Sequence, residues 1–259
     1  MSNDFAVLIL SCDKYADMWK PFGEQYRKYF PQGNWPIYVG SNTIVCTEPG
    51  VVPILSGVDQ DWSTSYKRIL SQIKEQKIFV ILEDFLLASL VDEKLFATTV
   101  DFLFTRDAKH IKYLNGVLPD SVTDNPNIGQ YERGAPYRAT VNGFWDRDYL
   151  MTLLIEGESP WNFEILASYR TSYADGFYCL MTPLCDHRNM IEKGQWIPQS
   201  LEWARSEGVT LDLNKRPMLE GGSRLLSCIQ KFYFNWMLRL SWKKRVKLMN
   251  ILRKALISY

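Results

Sequence analysis

Short apolar runs alternate with amphipathic stretches through the first third of this sequence, and that alternation restricts the fold more than any other feature. The runs have the length and the β-branched and aromatic content of buried strands, and they lie at residues 5–10, 35–39, 51–55 and 78–82. Between them, residues 16–29 and 62–76 carry apolar side chains at helical spacing. Strands that alternate with helices in this way predict the α/β class, with a mainly parallel sheet flanked by helices.

The remaining sequence continues this pattern less regularly. Further helices are predicted over residues 92–105, 146–156 and 200–207, and further strands over residues 109–114, 137–144 and 177–183. Residues 119–136 are rich in Pro, Asp, Asn and Gly and lack periodicity, which is typical of a long loop. We therefore expect one α/β domain over residues 1–222, followed by a tail over residues 223–259.

Two adjacent carboxylates, Glu83 and Asp84, follow the apolar run at residues 78–82. In open α/β sheets, ligands bind outside the carboxyl ends of the parallel strands, so this pair is predicted at the rim of a binding site. Buried acids are costly unless they meet a cation, a sugar hydroxyl or a metal ion. The alternative interpretation is that the pair caps a helix beginning near Phe85, where the helix dipole favours negative charge.

Net charge and cysteine content argue against several classes of protein. A formal net charge of +1 gives no indication of nucleic-acid binding. The five cysteines are odd in number, widely spaced and without a Cys-x-x-Cys pair. That pattern indicates a reducing compartment rather than a disulfide framework or a zinc site. We find neither a signal peptide nor an apolar run of the roughly 20 residues that span a bilayer, so we expect a cytoplasmic protein.

The tail differs from the rest of the chain in charge. Residues 223–259 contain nine Lys or Arg and no Asp or Glu, so residues 1–222 hold 21 basic and 29 acidic residues and a net charge of −8. Basic amphipathic helices that contain Trp bind anionic membrane surfaces, and we expect the tail to do so. The alternative is a helix that packs on the acidic body. The apolar stripe of the tail consists of Leu225, Ile229, Phe232, Trp236, Leu240, Trp242, Val246, Met249, Leu252 and Leu256.

Three short motifs follow one another along the chain, at residues 10–15 (LSCDKY), 82–85 (LEDF) and 159–164 (SPWNFE). Their order resembles bacterial glycosyltransferases of the GT-A type that build lipopolysaccharide or capsular glycans. The resemblance implies transfer of a sugar from a nucleotide-sugar donor to a surface glycan or a lipid-linked acceptor. With the basic tail, we expect this transfer at the inner face of the cytoplasmic membrane. The alternatives are a nucleotidyltransferase of related fold, which the lack of glycine in residues 11–15 disfavours, and a non-catalytic membrane scaffold.

The resemblance also implies where the donor binds. In GT-A enzymes the nucleotide lies over the ends of the first parallel strands, which places Ser11, Asp13 and Lys14 beside the base and the ribose. Asp13 can accept a hydrogen bond from a base N–H or a ribose hydroxyl, and Lys14 can meet a phosphate. A capping role for Asp13 and a solvated Lys14 are the structural alternatives. Glu83 and Asp84 are expected to hold the donor.

The second motif leaves metal dependence open. GT-A enzymes usually carry an Asp-x-Asp signature that binds a divalent cation on the donor diphosphate, whereas Asp84 is followed here by phenylalanine. Asp84 can still bind Mg²⁺ or Mn²⁺, which favour oxygen ligands, and His187 is a further candidate ligand. Without a metal, basic side chains must neutralise the diphosphate, and the candidates are Lys67, Arg68 and Lys193.

Glu164 in the third motif matches the catalytic base of inverting GT-A enzymes. A carboxylate beside Trp161 and Phe163 is partly desolvated, which raises its pKa and improves it as a general base. Glu158 is the second candidate, with helix capping as its alternative role. Trp161 offers an apolar face to an acceptor sugar ring, and core packing is its alternative. Because there is one leading candidate for the base, we expect inversion at the sugar.

Overall fold

The computed structural model describes residues 4–113, 117–219, 232–233, 235–237 and 239–256. Its strands are β1 (Phe5–Leu10), β2 (Ile37–Ser41), β3 (Val52–Leu55), β4 (Lys77–Leu82), β5 (Phe85–Leu87), β6 (His110–Lys112), β7 (Ser121–Val122), β8 (Ile128–Gln130), β9 (Gly143–Asp146), β10 (Phe177–Leu180), β11 (His187–Asn189), β12 (Ile191–Glu192) and β13 (Gln195–Trp196). The α-helices whose bounds are described are α1 (Trp19–Tyr29), α2 (Trp62–Leu70), α3 (Glu93–Thr105), α4 (Arg147–Leu153), α5 (Pro160–Arg170), α6 (Pro198–Ser206) and α7 (Trp242–Leu256). Two 3₁₀ helices span Asp13–Met18 and Leu213–Lys215.

One large mixed sheet organises the fold, and its strand order is β3-β2-β1-β4-β9-β6-β10-β8-β7. The first four strands in this order are parallel to one another, with α1 between β1 and β2 and α2 between β3 and β4. β9 is inserted antiparallel between β4 and β6, and β6 and β10 are again parallel. The α/β class and the mainly parallel sheet flanked by helices are therefore confirmed.

The sheet separates two apolar layers, as the alternation of side chains along β1 shows. Val7 and Ile9 contact the layer that contains residues of α1, α3 and α6, whereas Ala6 and Leu8 contact the layer of α2, α4 and α5. All six residues of β1 are buried, which is expected for a central strand covered on both faces. This burial fixes the position of the strand end from which the candidate site is built.

Several predicted element bounds differ from the structure. Phe85–Leu87 forms a strand that pairs with β11, so no helix begins after the acid pair and the capping alternative is wrong. The helix predicted over residues 62–76 ends at Leu70, where Gln72 N donates to Ile69 O in a tighter turn. The loop predicted over residues 119–136 contains the short strands β7 and β8.

The strand predicted over residues 137–144 is confined to its last part, because β9 begins at Gly143. Tyr137 has a φ of +50°, which is outside the strand region. The guanidinium group of Arg138 is buried, and it donates hydrogen bonds to the backbone carbonyls of Thr171 and Ala174 rather than to water. This anchor holds residues 137–142 as an irregular segment beside the sheet edge that forms the candidate site.

The tail is described in part. The predicted boundary at residues 222–223 and the stripe positions Leu225 and Ile229 lie outside the described residues. α7 packs on the body, where Arg245 is buried in an ion pair with Asp120 and its Nε donates to Met237 O at 2.8 Å. In the part of the chain that the structure describes, no helix is both long enough and apolar enough to span a bilayer.

Candidate functional site

β1 and β4 end side by side, and polar side chains follow both ends. In the parallel register Leu10 pairs with Leu82, so Ser11 and Glu83 come next at the carboxyl edge of the sheet. A cavity of about 260 Å³ opens at this edge. The lining side chains with charged, amide or serine hydroxyl groups are Ser11, Glu83, Asp84, Asn142, Glu164, Asn189, Glu192 and Lys193.

The acid pair is buried at the base of this cavity. Glu83 is 4% exposed, and burial together with the neighbouring Asp84 charge raises its pKa well above the usual range, although the Ser11 hydroxyl and Arg216 act against the shift. Burial also raises the pKa of Asp84, to about 7, against the opposing charge of Arg216. Asp84 Oδ1 is buried and has no hydrogen-bond partner among the described residues. The pair is therefore short of positive charge, and Asp84 also lacks a hydrogen-bond donor at Oδ1.

Glu164 reaches the same cavity from α5. This helix begins after Ser159, whose hydroxyl accepts a hydrogen bond from Asn162 N, and Pro160 occupies the first turn. Glu164 Oε1 accepts from Val141 N at 3.1 Å, and burial raises the pKa of Glu164 although that bond and the Lys112 charge lower it. Trp161 also lines the cavity and is 56% exposed, so it lies at the rim rather than in the core.

Asp13 lies beside the cavity but is engaged by the fold. Its two carboxylate oxygens accept hydrogen bonds from the backbone N–H groups of Asn42, Thr43 and Ile44 at 3.0–3.1 Å, and from the Thr43 hydroxyl at 2.6 Å. Burial alone would raise the pKa of Asp13, but these bonds outweigh it and the pKa is lowered. We refer to this arrangement as the Asp13 clamp, because it fastens the end of β1 to the end of β2.

The four predicted basic residues lie in different places. Lys193 lines the cavity, at the turn of the β12–β13 hairpin, where it has a φ of +52° and is followed by Gly194 at +74°. Lys14 is exposed and is not part of the lining. Lys67 Nζ donates to Leu154 O at 3.4 Å, and Arg68 donates to Gln60 Oε1 at 2.8 Å, so both are occupied by contacts outside the cavity.

Glu158 and His187 are also outside the lining. Both carboxylate oxygens of Glu158 accept hydrogen bonds from Arg170, at 2.6 and 2.8 Å, which ties α5 to the loop before it. The His187 ring stacks on Phe85 with 5.7 Å between ring centroids. Both side chains therefore make contacts that stabilise the walls around the site.

Sequence analysis did not identify Arg216, which is 199 positions from its partner Asp17 and lies in no periodic segment. Its guanidinium group pairs with Asp17 at 2.5 and 2.8 Å and lies between the rings of Tyr15 and Trp196, at 4.8 and 5.0 Å from their centroids. Its charge opposes, but does not cancel, the rise in the pKa values of Glu83 and Asp84. Arg216 thus joins the segment after α6 to the segment after β1 through Asp17 and Tyr15, and only the tertiary fold brings its charge near the acid pair.

The cavity is mainly acidic, since Glu83, Asp84, Glu164 and Glu192 line it with Lys193 as the single base among the described lining residues. No group of three or more His, Cys, Asp or Glu side chains in the described part of the chain is placed to hold a metal ion. Magnesium can nevertheless be bound by one or two carboxylates together with phosphate and water. Asp84, with its unpartnered buried oxygen, fits that kind of ligand-assisted site.

Comparisons with known proteins give partial structural matches. No protein-family model matches the chain, and no curated protein matches it in sequence. Solved structures of S. aureus TarS match with 10% sequence identity: TarS itself (TM-score 0.41, 69% of this chain and 37% of that chain), TarS 1–349 (0.45, 68% and 60%) and TarS 1–349 in complex with UDP (0.43, 68% and 60%). This chain therefore covers less than two thirds of each TarS structure, and the similarity is one of partial backbone arrangement.

Proposed function

We propose that the protein is a glycosyltransferase that moves a sugar from a nucleotide-sugar donor to a bacterial surface glycan, of the lipopolysaccharide or capsule kind, or to a lipid-linked acceptor. The observation that carries the proposal is the meeting of Glu83, Asp84 and Glu164 around one cavity at the carboxyl edge of parallel strands. That edge is where α/β sheets bind nucleotides and related ligands. Buried carboxylates with raised pKa values suit a ligand that brings hydroxyl groups and a cation.

The donor half of the proposed site consists of the acid pair and its surroundings. Glu83 and Asp84 accept hydrogen bonds from hydroxyl groups of the donor, and Ser11 supports Glu83. The diphosphate adds negative charge to an acidic cavity, so binding requires positive charge nearby. Lys193 and Arg216 supply part of it, and Asp84 would hold a divalent cation that offsets charge on the leaving diphosphate.

The acceptor half of the proposed site is built on α5. Glu164 accepts the proton of the acceptor hydroxyl while that oxygen attacks the anomeric carbon of the donor sugar. The bond between that carbon and the diphosphate oxygen breaks, and the nucleotide leaves with inversion at the sugar. The raised pKa of Glu164 brings its proton affinity closer to that of the group it deprotonates. Trp161, at the rim, stacks on the acceptor sugar.

The basic tail supports a location of the proposed reaction at the inner face of the cytoplasmic membrane. Nine basic residues and no acidic residue over positions 223–259 match an anionic lipid surface. A lipid-linked or membrane-anchored glycan acceptor would then be concentrated beside the enzyme. Neither a signal for nucleic-acid recognition nor a glycine-rich phosphate loop accompanies these features in the sequence.

The proposal is tested by calorimetric titration with UDP-, GDP-, CMP- and dTDP-sugars, with and without Mg²⁺ or Mn²⁺, followed by a transfer assay with the donor that binds. We expect one donor class to bind, and Glu164→Gln to bind it normally while transfer falls by about 10²-fold or more. Glu192→Gln is the matched control, because Glu192 lines the same cavity but is exposed. It should keep near wild-type transfer.

Three results would contradict parts of this proposal. If none of the four donor classes binds, the glycosyltransferase proposal is rejected and a non-catalytic role is favoured. Near wild-type transfer by Glu164→Gln would remove Glu164 from the role of base. Loss of transfer in a folded Glu158→Gln variant alone would move that role to Glu158.

A further inference from the structure

The outer face of α5 is largely apolar although it faces solvent, with Asn162 as an exposed polar residue on the same side. Trp161, Ile165, Leu166 and Tyr169 are 56%, 51%, 44% and 40% exposed, and they occupy one side of the helix. The opposite side, with Phe163 and others, is buried in the core. A helix on the surface of a globular protein normally carries charged or polar side chains on its outer face. A contiguous apolar patch of this kind marks an interaction surface.

This face continues into α7. Tyr169 Oη donates to Met249 O at 3.3 Å, and Asn250 Nδ2 donates to Tyr173 Oη at 2.8 Å, so α7 crosses the end of α5. A shallow groove of about 390 Å³ follows along α7, lined by Trp242, Lys243, Val246, Lys247, Asn250 and Ile251. We call the outer face of α5 together with this groove the α5–α7 surface.

The α5–α7 surface combines apolar and basic side chains in a fixed orientation. Arg245 and Val246 are buried, and the ion pair of Arg245 with Asp120 fixes the rotation of α7 on the body. Lys243, Lys244 and Lys247 are consequently exposed on the outer side of the helix. Exposed aromatic residues precede α7, among them Phe232 at 74% and Trp236 at 43%.

We propose that the α5–α7 surface docks on an anionic lipid bilayer, with the apolar face of α5 in the interface and the lysines of α7 against the headgroups. Charge selects this occupant, because α7 lies next to the apolar face and exposes Lys243, Lys244 and Lys247, and the sequence of residues 223–259 contains no acidic residue. A second copy of the same surface would bring two sets of lysines together, which is unfavourable. Membrane binding thus involves α5 of the α/β domain as well as α7 of the tail.

The position of Trp161 gives this docking a consequence for the substrate. Trp161 belongs to the apolar face and also lines the cavity, and Glu164 lies one turn further along the same helix. Docking through α5 therefore opens the cavity at the plane of the membrane. This part rests on the proposed function, and it assigns the acceptor to glycans held at the membrane by a lipid.

The test is sedimentation of the full chain with vesicles of phosphatidylcholine alone or of phosphatidylcholine with phosphatidylglycerol at a ratio of about 3:1. We expect binding to the anionic vesicles only, weakened roughly tenfold or more in Ile165→Ser/Leu166→Ser and reduced by salt. A triple variant, Lys243→Gln/Lys244→Gln/Lys247→Gln, should lose binding to the same vesicles. Leu90→Ser is the matched control. Leu90 is 74% exposed, and its neighbour Val91 belongs to the core layer on the face of the sheet opposite to α5.

Three outcomes would overturn the proposal: unchanged vesicle binding by Ile165→Ser/Leu166→Ser, equal binding to neutral vesicles, and a dimer in sedimentation velocity that this variant abolishes. The last outcome would identify the surface as a contact between two copies. Nucleotide-sugar binding, measured by calorimetry without vesicles, reports on the proposed function separately. Vesicle binding without donor binding would refute the enzyme alone, and the reverse would refute the docking surface alone.

Discussion

Asp84 gives the sharpest prediction, because its burial makes the protein less stable as the pH rises. The pKa of this carboxyl is about 7 in the folded protein, against about 3.9 in an unfolded chain. The folded state therefore binds more protons than the unfolded state over that interval, and stability falls with rising pH between about pH 4 and pH 7. From these two values, ionisation of Asp84 lowers the free energy of unfolding by about 2–3 kcal/mol between pH 5 and pH 8.

Asp84→Asn removes this titration. We expect the free energy of unfolding of the variant, relative to the wild type, to rise by about 2–3 kcal/mol or more from pH 5 to pH 8. Glu83 makes this rise in relative stability larger. In Asp84→Asn the negative charge of Asp84 is gone, so it no longer helps to raise the pKa of Glu83. The assay is urea denaturation followed by circular dichroism in buffers with a metal chelator. A difference that stays constant or shrinks with pH would refute the account of Asp84 as a buried, uncompensated acid.

A second measurement connects this instability to binding. At pH 8, a nucleotide-sugar together with Mg²⁺ should stabilise the wild type more than it stabilises Asp84→Asn. Only the wild type carries the negative charge of Asp84 that the bound cation compensates. Equal stabilisation of both proteins would separate Asp84 from the donor site. A site that is destabilising when empty and relieved by its ligand is the pattern expected of functional residues.

Three further perturbations test the surroundings of the site. Asp13→Asn should cost about 2 kcal/mol in urea denaturation, constant from about pH 5 to pH 8. Because the folded pKa of Asp13 is lowered, this difference should narrow only as the pH falls below about 4. Arg216→Met leaves Asp17 unpaired, so we expect a loss of about 3 kcal/mol and a Tm lower by about 6–12 °C in calorimetry, with a smaller loss in Arg216→Lys. Asp120→Asn should release α7 from Arg245-mediated packing and speed native-state cleavage by trypsin within residues 243–247, whereas unchanged cleavage would contradict that anchoring.

The part of the fold that could be predicted from the sequence is the part in which local pattern and tertiary position agree. β1 and β4 are buried on both faces, so their apolar runs identify them with bounds close to those observed. The strand predicted over residues 137–142 is absent, because the buried Arg138 and the positive φ of Tyr137 override the strand-favouring Tyr, Thr and Val of this segment. Local propensity contains no information on either constraint.

The candidate site divides in the same way. Glu83 and Asp84 were placed at the sheet edge by the strand that precedes them, and Glu164 was found through a motif. Arg216 could not be found, since its role depends on Asp17 and on two aromatic rings that are distant in the sequence. A carboxylate at a strand end can equally face a ligand or a neighbouring loop, and nothing in the sequence distinguishes these two cases.

The Asp13 clamp bears on how relatives of this chain would diverge. An aspartate whose oxygens are engaged by Asn42, Thr43 and Ile44 is constrained by the scaffold, whatever small molecule the protein uses. Relatives that bind other ligands would keep this aspartate and vary side chains on the cavity wall, such as Trp62. The motif at residues 10–15 would then record shared ancestry of the scaffold, and substrate choice would evolve elsewhere.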